Sequence, residues 1–370
     1  MRSGLKKTDV AIIGGGIIGT SAATFLAEAG QSVVLFEQDE IAAGASGRNS
    51  GALQHPFDPQ FVDLHRRSIP LYRELTAADD GFELAARPAG LMLISFDEEA
   101  TTAVVAAIER DWPKLAPVLL GPGEASAAEP SLDPGLLACR LETGYPVAPA
   151  VATLAFARRA RRAGAQLVTG IAAMPIVESG RIAGVLLGDG DRLACDQVLV
   201  AAGPWTPSLI PGWAKRPFIV SMWGVVVSTK LAVPPVHVLE EFGIDSQDAR
   251  AGGLFSLVSI GQSASVGSTF LDAEPDSGAL APAIMDRARA FVPELSRAEI
   301  MSVRACARPV TLDGWPVIGA VDGIEGLFVC AGHGPWGIST GPASSRLIVD
   351  QMLGMAEELA EFSPARVATA

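Results

Sequence analysis

The chain has 370 residues, 49% of them apolar, a formal net charge of −13 and four scattered cysteines. That length and apolar content specify a folded protein of one to three structural units, and no apolar run approaches the 18–20 residues that a membrane span needs. The acidic balance, with no compensating basic run, argues against nucleic acid and anionic lipid as partners; the absence of CxxC spacing argues against zinc and a disulfide framework.

The opening MRSGLKKTDV is basic but enters a strand pattern directly, with no secretory h-region, which predicts a cytoplasmic protein. Asp9 to Ile13 reads as a buried parallel strand ending abruptly in glycines. The turn that follows is Gly14-x-Gly16-x-x-Gly19, then Ala23 and Gly30. Gly14 permits the turn, Gly16 admits a pyrophosphate to the backbone, and Gly19 and Ala23 let a helix lie close to the sheet, its N-terminal N–H groups facing the phosphates. A second strand, SVVLFE, ends in Glu37, in the window for a carboxylate that binds unphosphorylated ribose hydroxyls. One βαβ unit thus predicts a dinucleotide site contacted by Gly14, Gly16, Ile17, Ile18, Gly19, Glu37 and Gln38.

Residues 44–51, GASGRNSG, follow almost at once. Such a small polar loop with one cation can wrap a pyrophosphate and a flavin edge with backbone N–H groups, so FAD rather than NAD is expected, held by Ala45, Ser46, Arg48, Asn49, Ser50 and Gly51. His55, just past the loop, is a candidate to face substrate or to cap. GLMLIS from Gly90 reads as a strand and Glu98 to Trp112 as a helix; Val151 to Ala163 reads as a helix whose arginines form a solvated face, followed by strands AQLVTG and RIAGVLLGDG. Alternating strands are predicted at Ile219 to Ser228 and Phe255 to Ser259, consistent with an antiparallel sheet, and the Ala/Glu-rich stretch after Gly354 reads as a frayed helical tail.

Three blocks carry a likeness to a known family. They are the N-terminal pair above, Val198-Leu199-Val200-Ala201-Ala202-Gly203-Pro204-Trp205, and RPVTLDGWPVIG from Arg308 followed by GHGPWGISTGP from Gly332. On these the chain resembles the D-amino acid oxidase superfamily of flavoproteins, which contains glycine oxidase, sarcosine oxidase and the D-amino acid dehydrogenases. The resemblance implies an α/β fold in which a Rossmann-like FAD-binding domain (1–85, 149–215 and 301–370) is interleaved with an α+β substrate domain (86–148 and 216–300) on a mainly antiparallel sheet.

It implies further cofactor contacts from Ala173, Ala202, Gly203, Trp205, Arg308, Gly332, His333, Gly334, Trp336, Gly337, Ile338 and Ser339. Arg308 would clamp the substrate carboxylate, a task suited to a guanidinium fork that keeps its charge across pH. His333 is a candidate for proton handling or for anchoring its loop, and Trp223 and Trp336 are candidate pocket walls beside His55.

Two departures from the family pattern stand out. D-amino acid oxidase and glycine oxidase place tyrosine hydroxyls over the substrate, whereas this chain has only Tyr72 and Tyr145 and carries Ser221-Met222-Trp223 at the expected position. Cys306 stands where monomeric sarcosine oxidases tether flavin covalently, yet the histidine-bearing loop of those enzymes is absent, which favours non-covalent FAD and a buried thiol. The implied reaction is hydride transfer from the α-carbon of a small amine or amino acid to FAD, with dioxygen or another acceptor taking the electrons and a homo- or hetero-oligomer possible. Alternatives at this level are the catalytic subunit of a hetero-oligomeric amino-acid, opine or proline-type dehydrogenase, a monooxygenase, and a non-enzymatic FAD-binding scaffold.

Overall fold

The computed structural model describes residues 7–78, 81–215, 218–242 and 253–369, so the basic opening residues 1–6 lie outside the described part. The chain starts with β1 (Lys7–Ile13), α1 (Ile17–Glu28) and β2 (Val33–Glu37), the βαβ unit expected from the glycine pattern. The short α2 (Ala45–Arg48) and β3 (Ala52–Leu53) lead into α3 (Pro59–Ala77). A first excursion builds β4 (Leu91–Ser95), α4 (Glu98–Asp111), β5 (Val118–Leu120), α5 (Glu124–Ala128) and β6 (Leu137–Leu141), and returns through β7 (Tyr145–Pro146). Next come α6 (Pro149–Arg162), β8 (Gln166–Thr169), β9 (Ala173–Glu178), β10 (Arg181–Leu187), β11 (Arg192–Val200) and α7 (Thr206–Leu209). A second excursion supplies β12 (Ile219–Lys230), β13 (Val238–Glu241), β14 (Ser256–Ile260), β15 (Ser263–Gly267), α8 (Ser277–Phe291) and β16 (Ile300–Thr311). The chain returns with β17 (Val317–Ala320), β18 (Leu327–Ala331), α9 (Gly337–Met352) and α10 (Ala365–Thr369).

Among the described residues the strands sort into two large sheets and a two-stranded antiparallel pair of β3 and β7. The first runs β17-β18-β11-β1-β2-β8, parallel except for the β17–β18 pair, with β9 and β10 added antiparallel beside β11. Its central strands read as unbroken apolar runs because both faces are covered. Phe25, Leu26, Ala155, Phe156 and Ile348 of α1, α6 and α9 pack on one side, and Val185, Leu193, Ile210 and Phe218 lie on the other. Ser21 of α1 donates to Ser345 of α9 at 2.7 Å, a contact that only small side chains allow between two helices.

The second sheet runs β16-β12-β15-β14-β13-β4-β6-β5 and is antiparallel except for β13–β4. Strand alternation divides its faces. Val227, Leu239, Leu257 and Val266 pack against Ala281, Met285 and Ala288 of α8, which leaves Val226, Glu240 and Ser256 for the opposite face.

Two differences from the sequence reading concern position. The boundary drawn at residue 301 groups β16 with the first sheet, yet β16 pairs with β12 from Thr311 back to Ile300, so Arg308 belongs to the second sheet. The stretch after Gly354 is helical only at its end, in α10, and is docked rather than loose: Phe362 is buried against Trp315, and its carbonyl accepts the Ile318 N–H at 2.8 Å. No helix among the described residues is long and apolar enough to cross a membrane.

Candidate active site

The first glycine turn forms a flat seat. Gly14 has φ +117°, and a Cβ there would lie 2.3 Å from the Ala201 carbonyl oxygen, so no side chain fits. Beyond it Gly16 stands at the N-cap of α1 with no side chain to cap the helix, and the first turn carries no acidic residue. Its exposed dipole end therefore suits phosphate oxygens. The Ile17 N–H donates to the Ser46 hydroxyl at 2.9 Å, which brings the loop at residues 44–51 onto the same helix end. Glu37 accepts the Gly15 N–H at 2.6 Å and the Asp39 N–H at 3.0 Å, fixing its carboxylate at the end of β2, with Gln38 exposed beside it. Ala173 opens β9 two residues after Ile171, whose N–H donates to the Glu37 carbonyl at 3.1 Å. Ala202 accepts the Trp205 N–H at 3.1 Å, turning the chain at Gly203; the Trp205 ring is half exposed beside Gly44.

The loop is internally tied and externally clamped. Asn49 donates to the Ala45 and Ser46 carbonyls at 3.0 and 3.1 Å and accepts the Gly51 N–H at 2.9 Å. Arg304 of β16 donates to the Arg48 carbonyl at 3.1 Å, the Asn49 carbonyl at 3.0 Å and the Ser265 hydroxyl at 2.9 Å, and also to Ser228. One guanidinium thus ties the loop to the second sheet.

The turn from Gly332 leads into α9. Its start is held by α3: Tyr72 donates its hydroxyl to the Ile338 carbonyl at 2.6 Å, and the Ser68 hydroxyl accepts the Ala343 N–H at 3.1 Å. Trp336 donates its indole N–H to Asp58 at 2.5 Å. His333 is fully buried, contacts the Ser344 hydroxyl at 2.8 Å through Nε2, and is pushed down to about 3 by desolvation. A neutral imidazole in that setting anchors the turn.

Between loop, turn and sheet lies a cavity. Asn49, Ser50, Ala52 and Gln54 line one side, Pro335, Trp336 and Ser339 another, and Val226, Glu240, Ser256, Ser268, Phe270 and Arg308 the sheet side. Arg308 donates to the Thr269 carbonyl at 2.8 Å and to the Ser268 hydroxyl at 2.6 Å, and its guanidinium lies 4.7 Å from the Phe270 ring centre. Those partners are neutral, and no carboxylate of the described residues pairs with it. Burial pulls its pKa below the ordinary arginine value. A half-buried guanidinium held by neutral partners is suited to receive an anion.

Not every residue singled out in the sequence meets the cavity. Arg308 pairs directly with Met222, so Trp223, the next residue, points to the opposite face. His55 packs against Trp112 and His65, with ring centres 5.0 and 5.9 Å away, and its neighbour Gln54 lines the cavity instead. Cys306 is buried and lies opposite Gly224 on β12. Tyr72 and Tyr145 are both buried away from the cavity, so no tyrosine hydroxyl stands over it. Arg304, Gln54, Glu240 and Gly224 were missed. The alternation of β16 places Arg304 on the same face as Arg308, four residues away, and is the signal that points to it.

Known proteins resemble this chain over nearly its whole length. The DAO family of FAD-dependent oxidoreductases matches residues 9–351. The chain is 29% identical over 375 residues to a glycine oxidase of Pseudomonas putida, covering 96% of this chain and 97% of that protein. It is 26% identical over 369 residues to a glycine oxidase of Bacillus licheniformis, covering 94% of each. The crystal structure of glycine oxidase from Geobacillus kaustophilus superposes with a TM-score of 0.83 at 26% identity, over 97% of this chain and 98% of that one.

Proposed function

Since the chain belongs to the DAO family of FAD-dependent oxidoreductases, we propose that it takes a small amino acid by its carboxylate at Arg308 and oxidises the carbon–nitrogen bond. FAD, when bound, supplies the acceptor for the hydride that leaves the α-carbon. Gly14, Gly16 and Ser46 would hold its pyrophosphate, Glu37 a ribose, and residues 48–51 with the start of α9 the flavin.

The observation that carries the reading is the half-buried Arg308 fork, which has neutral partners only among the described residues. Ser268 and Thr269 fix its orientation, Phe270 lies against it, and Trp336 helps to wall the cavity from water. Neither histidine nor cysteine lines the cavity, so orientation of the C–H bond rather than an imidazole base does the work. The setting is cytoplasmic, with dioxygen or another acceptor taking the electrons, in a single chain or an oligomer.

The test is an anaerobic titration of the yellow protein with glycine, sarcosine, D- and L-amino acids and prolines, following loss of visible flavin absorption. Arg308→Gln should raise the half-saturating concentration of carboxylate-bearing amines about 30-fold, the worth of charge-assisted hydrogen bonds, while sparing carboxylate-free amines. Unchanged affinity for the carboxylates would remove Arg308 from the assignment. If no amine bleaches the flavin, amine oxidation itself is overturned.

A further inference from the structure

Gln54 stands out within the cavity wall. It is 4% exposed and directly follows β3. Its backbone N–H donates to Ser339 at 3.2 Å, and its side-chain Nε2 donates to Glu240 Oε1 at 2.9 Å. Glu240 Oε1 is the acceptor of that bond, so the NH2 end of the amide is the one that faces it. Gln54 Oε1 is thereby turned the other way, and it is buried without a hydrogen-bond partner.

The distance from the carboxylate site follows from strand pairing. Arg308 reaches Ser268, the residue after Gly267; Gly267 pairs with Ser256, and Ser256 with Glu240. Glu240 therefore lies two strand spacings, about 10 Å, from the point where Arg308 is held. A ligand whose carboxylate meets Arg308 and whose far end meets Gln54 is longer than glycine.

We propose that Gln54 is a specificity-determining residue: its Oε1 accepts a hydrogen bond from an N–H or O–H group on the side chain of the amino-acid substrate, and Glu240 positions the amide for it. The substrate class is an amino acid with a donor-bearing side chain. The proposal rests on Arg308 binding the carboxylate, as argued above. An apolar substrate leaves the buried acceptor unsatisfied, which is the strongest form of rejection a polar pocket offers.

The experiment compares isosteric pairs of both enantiomers: serine with 2-aminobutyrate, homoserine with norvaline, ornithine with norleucine. Anaerobic flavin reduction should favour the donor-bearing member of at least one pair about 10-fold or more in kcat/KM. Gln54→Leu should abolish that ratio while retaining the flavin spectrum. Glu240→Gln, which frees the amide to turn, should reduce it. Binding is read separately from perturbation of the flavin spectrum by 4-hydroxybutanoate and pentanoate, and should show the same preference. Equal ratios within every pair in the wild type, or loss by Gln54→Leu that is uniform across all substrates, would overturn the assignment while leaving amine oxidation standing. If Gln54→Leu does not fold, the wild-type ratios and Glu240→Gln decide. A protein that no amine reduces overturns the underlying reading instead.

Discussion

Arg308 is kept in place by shape as much as by hydrogen bonds. Its guanidinium lies across β12 at Gly224, where an added Cβ would stand 2.3 Å from Nη2. The obstructing atoms belong to the far end of a flexible side chain, so Gly224→Ala should displace the arginine rather than the strand. The variant should fold and bind FAD, yet bind carboxylate substrates about 10-fold or more weakly, since misplacement of about 1 Å costs much of a bidentate contact. Steady-state KM against the wild type checks this; an unchanged KM would show that Arg308 tolerates displacement. The four cysteines illustrate the opposite case, since all are buried and free, and none lines the cavity.

At the scale of elements, the loop at residues 44–51 has only one short helical turn of its own and depends on β16 for its position. Arg304 supplies that anchor through two loop carbonyls and two hydroxyls of the second sheet. Hydrogen bonds from a charged donor are worth about 1.5–3 kcal/mol each, of which a half-buried loop realises a part. Arg304→Gln should therefore weaken FAD binding about 10-fold or more, measured by ultrafiltration or by quenching of flavin fluorescence. Equal FAD affinity in the variant would mean that the loop holds its shape alone. α9 is anchored differently, with Tyr72, Ser68 and His65 of α3 reaching its first turns.

At the scale of the whole molecule, two histidines bury their rings around α9. Desolvation pushes His333 down to about 3 and His65 down to about 4, below the ordinary histidine value. Depressed folded values mean that the unfolded chain binds the extra protons. Their contribution is thus complete above about pH 6.5 and lost as pH falls toward 4, at up to about 1.4 kcal/mol per pH unit for each ring. Denaturant unfolding at constant FAD concentration should show this acid loss, and His333→Gln should make the slope shallower by about one histidine's share. Parallel slopes would show that His333 does not titrate on unfolding. The βαβ unit, its glycines and Glu37 were legible in sequence because they are local: a strand, a turn and a helix end within about thirty residues have one way to meet a pyrophosphate. The arginine at 308 was legible too, through its motif. The sheet faces were not, because alternation tells which residues lie together but not which face meets α8; that is why Trp223 was expected in the pocket and Gly224 was overlooked. Only the tertiary structure decided that Gln54, Glu240 and Arg308, drawn from segments up to 254 positions apart, share one cavity, because strand order brings distant segments into register and no local pattern encodes that order.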